Sequence, residues 1–307
     1  MSTLRQALAG YLAVRRSLGY KLDRPEKLLG QFISWLEEAG TATVTTERAL
    51  AWATLPAGDP YWHAYRLSVA RGFAIHLHTI DPATEVPPAG LIPARPHRAT
   101  PYLYSDADIT ALSAAAASLR FPLRAATYQT LIGLLAVTGM RVGEAIRLDR
   151  ADLDLTAGII TIRQAKFGKT RLLPLHPTTV TAVREYLRLR DRLHPDPGTP
   201  AVFISPAGTR LLYCNVHATW KLLVASAGLR PRSAACRPRI HDLRHSFAVA
   251  SLLDAYAAGQ DGQARLALLS TYLGHADPSH TYWYLSAAPE LLALAGQRLD
   301  DHLREQS

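Results

Sequence analysis

Residues 138–148 read TGMRVGEAIRL, a glycine-containing turn that joins an apolar helix to a shorter one. The residues before the turn, LRAATYQTLIGLLAVTG from 123 to 139, are apolar over the length of a helix, and Gly139 is a typical helix stop. Arg141 therefore stands at the start of the next helix, where its side chain can point into a cleft. Glu144, one turn later, either holds that guanidinium or forms an ordinary surface pair.

The chain after this turn predicts a β-hairpin. Residues 158–175, GIITIRQAKFGKTRLLPL, contain two β-prone runs around a Phe-Gly-Lys turn. A basic tip is therefore expected to project from a small sheet. Residues 201–205, AVFIS, are a further short strand candidate, and the chain after Tyr213 is predicted to be helical, interrupted by the basic loop LRPRSAACRPR at 229–239.

The first part of the chain predicts a small helical domain. Apolar residues recur at helical spacing in LRQALAGYLAVRRSLG (4–19) and in KLLGQFISWLEEAG (27–40). A proline-rich stretch follows at 81–101 and resists both helix and sheet. Beyond it, Ser105 with nearby aspartates predicts a helix N-cap. We therefore predict a mainly α fold with a small β-sheet, and three segments: a helical domain (1–85), a linker (86–101) and a second domain (102–307).

Composition favours a nucleic-acid partner. The formal charge is +9 and comes mostly from arginine, which suits bidentate phosphate contacts, although a merely basic enzyme would show the same charge. No secretory signal or membrane span is expected, because no window approaches the roughly 20 apolar residues of a membrane helix. The two cysteines, Cys214 and Cys236, lack metal-ligand spacing and are expected to be reduced thiols. A cytoplasmic location, without metal, is the prediction.

Two further segments carry candidate site residues. In HDLRHSFA (241–248), His241 and Arg244 are three apart and share one face if the stretch is helical. In LGHADPSHTYWYL (273–285), His275 follows a glycine and Tyr284 lies nine residues further on. Each segment alone is weak evidence for a site.

Together, and in this order, the segments resemble the tyrosine recombinase or phage integrase family. That family has an arginine in a TGxR segment, an HxxR pair, an LGH segment and a tyrosine nine residues after its histidine. The resemblance covers residues from about 101 to the C-terminus. It implies a SAM-like helical core-binding domain that closes around DNA, followed by a mixed α+β catalytic domain.

The resemblance also implies the roles of individual residues. Tyr284 corresponds to the nucleophile, and Tyr282 is a rival that lacks the nine-residue spacing. The hairpin lysine is Lys166, with Lys169 as the alternative. The remaining implied catalytic residues are Arg141, His241, Arg244 and His275, with Glu144 in support. No cofactor is expected, and which histidine moves a proton stays open.

Binding of double-stranded DNA is expected to rest on phosphate contacts by basic residues in both domains. The candidates are Arg15, Arg16, Lys21, Lys169, Arg230, Arg232, Arg237 and Arg239. An amphipathic helix within 286–303 either packs within its own subunit or, as the resemblance implies, docks on a neighbour in a homotetramer on two paired sites. Accessory recombination proteins are further possible partners.

Three functions are compatible with these residues. The resemblance favours a site-specific recombinase or integrase that works through a 3′-phosphotyrosyl intermediate without metal or ATP, either Xer-like or carried by a mobile element. A type IB topoisomerase uses similar chemistry, but the spacing from LGH to the tyrosine argues against it. A catalytically inactive DNA-binding regulator on the same scaffold is the non-enzymatic alternative.

Overall fold

The computed structural model describes residues 3–41, 43–94, 99–163 and 170–274 together with Gly296. The chain divides into two compact units, Met1–Arg98 and Ala99–Ser307. Helices dominate both units, and a single three-stranded sheet is found among the described residues. The predicted fold class, mainly α with a small sheet, is confirmed. The roles assigned to residues 1–85, 86–101 and 102–307 stay predictions.

Four helices are found in the described part of the first unit, and the start of the last one follows directly from local sequence. The Asp59 side chain accepts a hydrogen bond from the Trp62 backbone N–H, and Pro60 occupies the first turn, where a missing N–H costs nothing. Both helices predicted in this region are present. The four helices are α1 (Thr3–Ser17), α2 (Asp23–Glu38), α3 (Thr46–Thr54) and α4 (Pro60–His78).

Aromatic and aliphatic side chains from these helices form the core of the first unit. Phe32, Trp52 and Phe73 are at most 2% exposed. Arg66 is also buried in this core, with its guanidinium 3.8 Å from the centre of the Trp52 ring and donating to the Trp52 carbonyl oxygen. Desolvation lowers the pKa of Arg66. The stacked indole and the carbonyl compensate this buried charge.

The second unit is organised around one apolar helix, α6 (Pro122–Thr138), which contacts α5, α8 and α10. Leu131, Ile132 and Leu135 on α6 are at most 1% exposed. The predicted cap at Ser105 is present as a capping box with Asp108. The helices of this unit are α5 (Asp106–Ala117), α6, α7 (Val142–Arg147), α8 (Pro177–Leu193), α9 (Tyr213–Ser226), α10 (Asp242–Ala257) and α11 (Gly262–Leu273).

The sheet contains the predicted hairpin. β2 (Ile159–Ile162) pairs antiparallel with β3 (Arg171–Pro174), so that Ile162 lies opposite Arg171. A two-residue strand, β1 (Leu153–Asp154), pairs with the other edge of β2. The hairpin tip, which includes Lys166 and Lys169, lies outside the described residues.

The prediction of a strand at 201–205 was wrong. The segment makes only isolated bridges, from Ala201 to Asp149 and from Ile204 to Arg210. Two of its carbonyl groups accept from side chains and not from a neighbouring strand: Arg190 donates to the Ala201 oxygen and the Tyr186 hydroxyl to the Val202 oxygen. Buried apolar residues alone cannot distinguish these two ways of satisfying the backbone.

None of the helices in the described part of the chain is both long enough and apolar enough to cross a membrane.

Gly139 ends α6 in a conformation that only glycine adopts readily. Its φ is +59°, and its backbone N–H donates to the Leu135 carbonyl. A Cβ at this position would lie 2.4 Å from Cδ1 of Phe247 on α10. The turn therefore permits both the reversal of the chain and the close approach of α10.

We expect Gly139→Ala to lower the free energy of unfolding by at least about 2 kcal/mol, because left-handed strain adds to the overlap with Phe247. Gly133→Ala on α6 is the matched control, since a Cβ there meets nothing within 4 Å. Helix propensity predicts that the control is neutral or stabilising by up to about 1 kcal/mol. Chemical denaturation measures both, and equal stability of the two variants would contradict the assignment of this turn.

Candidate active site

Arg141 lies where the sequence placed it, at the N-cap of α7. Its backbone N–H donates to Oε2 of Glu144 at 2.9 Å, and its Nη1 donates to Oε1 of the same carboxylate at 2.8 Å. The side chain is 28% exposed. Glu144 therefore holds the Arg141 side chain, which stays partly exposed. Because the Glu144 side chain is buried, the pair is not an ordinary surface pair.

The Glu144 carboxylate also binds a second arginine. Arg171, the first residue of β3, donates from Nη1 to Oε1 at 3.1 Å and from Nη2 to Oε2 at 2.7 Å. Burial alone would raise the pKa of Glu144, but the hydrogen bonds and charges of Arg171 and Arg141 lower it to about 2. The carboxylate is therefore ionised throughout the physiological pH range.

Arg244 is the most deeply placed of the predicted site arginines. It is 2% exposed, and its Nη1 donates to the Gly139 carbonyl at 2.8 Å while its Nη2 donates to the Leu273 carbonyl at 2.6 Å. Both carbonyls lie at helix C-termini, where the last four have no partner within the helix and the helix dipole is negative. A buried cation is thus held between the ends of α6 and α11.

His241 immediately precedes α10, one turn before Arg244. The residue is exposed to solvent, and the charged groups that act on its ring are mainly arginines. Desolvation, followed by the charges of Arg244, Arg141 and Arg239, lowers the pKa of His241 to about 4. The imidazole is therefore neutral at pH 7 and can accept a proton or a hydrogen bond.

The start of α10 is fixed by an ion pair whose carboxylate is buried. Asp242 is fully buried, and Arg239 donates to both of its carboxylate oxygens, at 3.0 and 2.9 Å. Burial raises the pKa of Asp242, although the bonds and charge of Arg239 oppose this change. The pair orients the turn on which His241 lies.

The structure thus brings together Arg141, His241 and Arg244, with Glu144 in support. Nη2 of Arg141 also lies 3.5 Å from the Gly274 carbonyl, so both arginines reach the C-terminal end of α11. His275 follows Gly274 directly in the sequence. His275, Tyr284, its rival Tyr282 and the C-terminal amphipathic segment lie outside the described residues, as do Lys166 and Lys169. Among the residues that the structure describes, no three His, Cys, Asp or Glu side chains could share a metal ion.

The DNA-contact candidates of the first unit lie at the end of α1 and just after it. Arg15 stacks over Tyr20 at 4.0 Å from the ring centre. Arg16 pairs with Glu26 at 2.6 Å, and Lys21 is exposed. Their contacts with DNA stay predictions.

The candidates of the second unit differ in how they are held. Arg230 and Arg237 are exposed on the loop before α10. Arg232 lies over the Tyr102 ring at 4.5 Å and donates to the Leu103 carbonyl. Arg239 is occupied by Asp242. Arg230 and Arg237 are therefore more accessible than Arg239, and the contacts of all four with DNA stay predictions.

Comparison with known proteins agrees with this arrangement. The model of the phage integrase family matches residues 105–290, a range that contains all six predicted catalytic residues. The chain is a tyrosine recombinase of the phage integrase family.

Relatives of this recombinase carry matching names. The protein y4rB of Sinorhizobium fredii (strain NBRC 101917 / NGR234), provisionally named an integrase/recombinase, is 45% identical over 307 residues, which is 98% of each chain. Tyrosine recombinase XerC of Azotobacter vinelandii (strain DJ / ATCC BAA-1303) is 35% identical over 219 residues, 71% of this chain and 67% of that one.

Solved structures show the same fold. The Tn1549 transposon integrase in complex with transposon right end DNA matches with a TM-score of 0.62 at 16% identity, over 97% of this recombinase and 100% of that chain. A lambda integrase dimer bound to a COC′ core site matches with a TM-score of 0.57 at 18% identity, over 92% and 95% of the two chains.

Sequence reasoning missed Arg171. The signal was present, because Arg171 stands next to an otherwise apolar run in RLLPL at the start of β3. A charged residue beside a buried strand requires a partner, and Glu144 was the nearest carboxylate of the predicted site. The pairing of Arg239 with Asp242 was missed in the same way, although the two are three residues apart.

The low pKa of Glu144 makes stability depend on pH. Because the pKa lies at about 2 in the folded protein and at 4.5 ordinarily, the stabilisation is complete above pH 4.5 and is lost as pH falls toward 2. It corresponds to about 3 kcal/mol. We expect Glu144→Gln to be less stable than wild type near pH 6, and this difference to shrink by pH 3.5. Chemical denaturation across this range measures it, with Glu185→Gln on the exposed face of α8 as control; a pH-independent difference would argue against the network.

The pKa of His241 can be measured directly. We expect its ring resonances in NMR to titrate near pH 4 in the free protein, because desolvation and then the charges of three guanidinium groups disfavour the imidazolium. His241→Gln assigns the signal by removing it. Titration at the ordinary value of about 6.5 would show that the arginines do not surround the ring in solution.

Proposed function

We propose that this recombinase cleaves and rejoins double-stranded DNA at specific sites through a 3′-phosphotyrosyl intermediate on Tyr284. The convergence of Arg141, Arg244 and the neutral His241 at the C-terminal end of α11, just before His275, is the observation that supports the proposal. Two guanidinium groups and a neutral imidazole that lie close together suit a phosphodiester.

In the proposed step, the Tyr284 hydroxyl oxygen forms a bond to phosphorus and the bond from phosphorus to the 5′ oxygen breaks. Arg141 and Arg244 bind the two non-bridging oxygens, where charge accumulates. Lys166 donates a proton to the departing 5′ oxygen. His241 or His275 takes the proton of the tyrosine or donates a hydrogen bond to the phosphate.

The proposed step uses neither ATP nor a metal ion. A phenol has a pKa of about 10, well below that of an alcohol. The tyrosine oxygen is therefore a good leaving group when the returning 5′ hydroxyl attacks the phosphorus. The permanent positive charges of Arg141 and Arg244 supply the electrostatic stabilisation. Reversal of the same step reseals the strand.

The proposal extends to DNA binding and assembly. Arg230 and Arg237, exposed in the second unit, and Lys21 with Arg16 in the first unit contact DNA phosphates, so affinity falls steeply with salt. A homotetramer on two paired sites exchanges strands, with accessory proteins as further partners. The solved integrase structures in complex with transposon and core-site DNA support the DNA-binding part of this proposal.

The nucleophile is tested with a nicked suicide duplex that carries a candidate site, incubated without added metal. We expect a covalent protein–DNA adduct on a denaturing gel with wild type and none with Tyr284→Phe, which keeps the ring but lacks the attacking oxygen. Tyr282→Phe is the matched control and should form the adduct.

Other outcomes would redirect the proposal. An adduct that persists in Tyr284→Phe and disappears in Tyr282→Phe would move the nucleophile to Tyr282. Site binding without any adduct in wild type would contradict the recombinase proposal and favour a DNA-binding regulator. Relaxation of supercoils without exchange between two duplexes would instead favour topoisomerase chemistry.

A further inference from the structure

Arg171 is the less exposed of the two arginines that bind Glu144. Its side chain is 11% exposed, against 28% for Arg141. A Cβ on Gly274 would lie 3.1 Å from Nη1 of Arg171, so the glycine at the end of α11 leaves room for this guanidinium. Arg171 is thus packed between the base of the hairpin and the end of α11.

The two arginines use the same carboxylate in different ways. Arg171 binds both oxygens of Glu144 end-on through Nη1 and Nη2, in a bidentate geometry that fixes the carboxylate plane. Arg141 donates to the remaining acceptor positions of the carboxylate, through its backbone N–H and Nη1. Four donors saturate the carboxylate, which has about four lone-pair sites. Arg171 therefore fixes the orientation of the Glu144 carboxylate, and the carboxylate in turn positions Arg141.

Removal of Arg171 would leave Glu144 with only one arginine. The carboxylate could then rotate with the more exposed Arg141 side chain, and its pKa would rise because the largest favourable interaction is lost. The fold would keep β2 paired with β3 through the backbone ladder. The loss would fall mainly on the position of the Arg141 guanidinium.

We propose that Arg171 is a positioning residue for strand cleavage: through Glu144 it holds Arg141 in the orientation that binds a non-bridging phosphate oxygen. The inference rests on the proposed function, since it assigns Arg171 a part in that reaction. Arg171 itself does not touch the phosphate. The defect of its variants should therefore lie in the rate of cleavage and not in affinity for DNA.

The test measures single-turnover cleavage of a saturating suicide duplex by wild type, Arg171→Gln and Arg171→Lys, together with the Kd for the duplex and the Tm of each protein. A misplacement of about 1 Å can cost about 100-fold in rate, so we expect Arg171→Gln to cleave about 10- to 100-fold more slowly with a Kd within about twofold of wild type. Arg171→Lys, which keeps the charge but not the fork, should recover part of the rate.

Arg150→Gln is the matched control. Arg150 also forms an arginine–carboxylate pair, with Asp191 on α8, but that pair has no contact with Glu144. This control should cleave at the wild-type rate. An unchanged rate in Arg171→Gln, or a loss explained entirely by a weaker Kd or by unfolded protein, would overturn the inference.

A substrate with sulfur in place of the bridging 5′ oxygen separates two routes by which Arg171 could act. Attack by the tyrosine then breaks the phosphorus–sulfur bond and a thiolate leaves without needing a proton. We expect the cleavage defect of Arg171→Gln to persist with this substrate, because Arg141 stabilises the non-bridging oxygens. Recovery of the wild-type rate would place the defect at Lys166 on the hairpin and overturn the assignment to Arg141.

The same experiment distinguishes failure of this inference from failure of the proposed function. If wild type and Arg150→Gln form the adduct and Arg171→Gln forms it equally fast, only the role of Arg171 is wrong. If wild type forms no adduct on a duplex that it binds, the proposed function fails, and the role of Arg171 fails with it.

Discussion

The candidate site depends on one buried cation, the guanidinium of Arg244, held by the carbonyls of Gly139 and Leu273. A buried charge is costly unless hydrogen bonds replace its water, and helix C-termini offer carbonyls that need donors. Each partner thus meets a requirement of the other. The geometry also requires Gly139, whose missing side chain lets Phe247 approach, and Phe247 in turn stacks on Tyr272 of α11. The ends of two helices and the start of α10 are therefore fixed as one body.

Positive side chains outnumber negative ones around Arg244. Arg141 and Arg171 share the single carboxylate of Glu144, while the Gly139 and Leu273 carbonyls hold Arg244. Desolvation and the surplus of positive charge keep His241 neutral in the free protein, and the same charge favours an anion at this site. A phosphate that enters would partly neutralise this charge and raise the pKa of His241 on binding. Electrostatics and fold are linked here, because the groups that hold α6, α7, β3 and α11 together are those that create the field.

Much of the fold could be predicted because helices and caps are local. The helix stop at Gly139, the cap at Ser105 and the β2–β3 hairpin all follow from residues within a few positions of one another. The convergence of Arg141 with the neighbouring pair His241 and Arg244 was available only through the family resemblance, since Arg141 is far from that pair in sequence. Arg171 and the failed strand at 201–205 show the limit of such reasoning. Both depend on long-range partners, Glu144 in one case and Arg190 with Tyr186 in the other, which no local pattern displays.

The most direct test of the account is a structure of the wild-type protein trapped on a suicide duplex after cleavage. The account predicts phosphorus bonded to the Tyr284 hydroxyl oxygen, with Arg141 and Arg244 each donating to a non-bridging oxygen and Arg244 still bound to the Gly139 and Leu273 carbonyls. A phosphate attached to another residue, or one that neither arginine contacts, would contradict it.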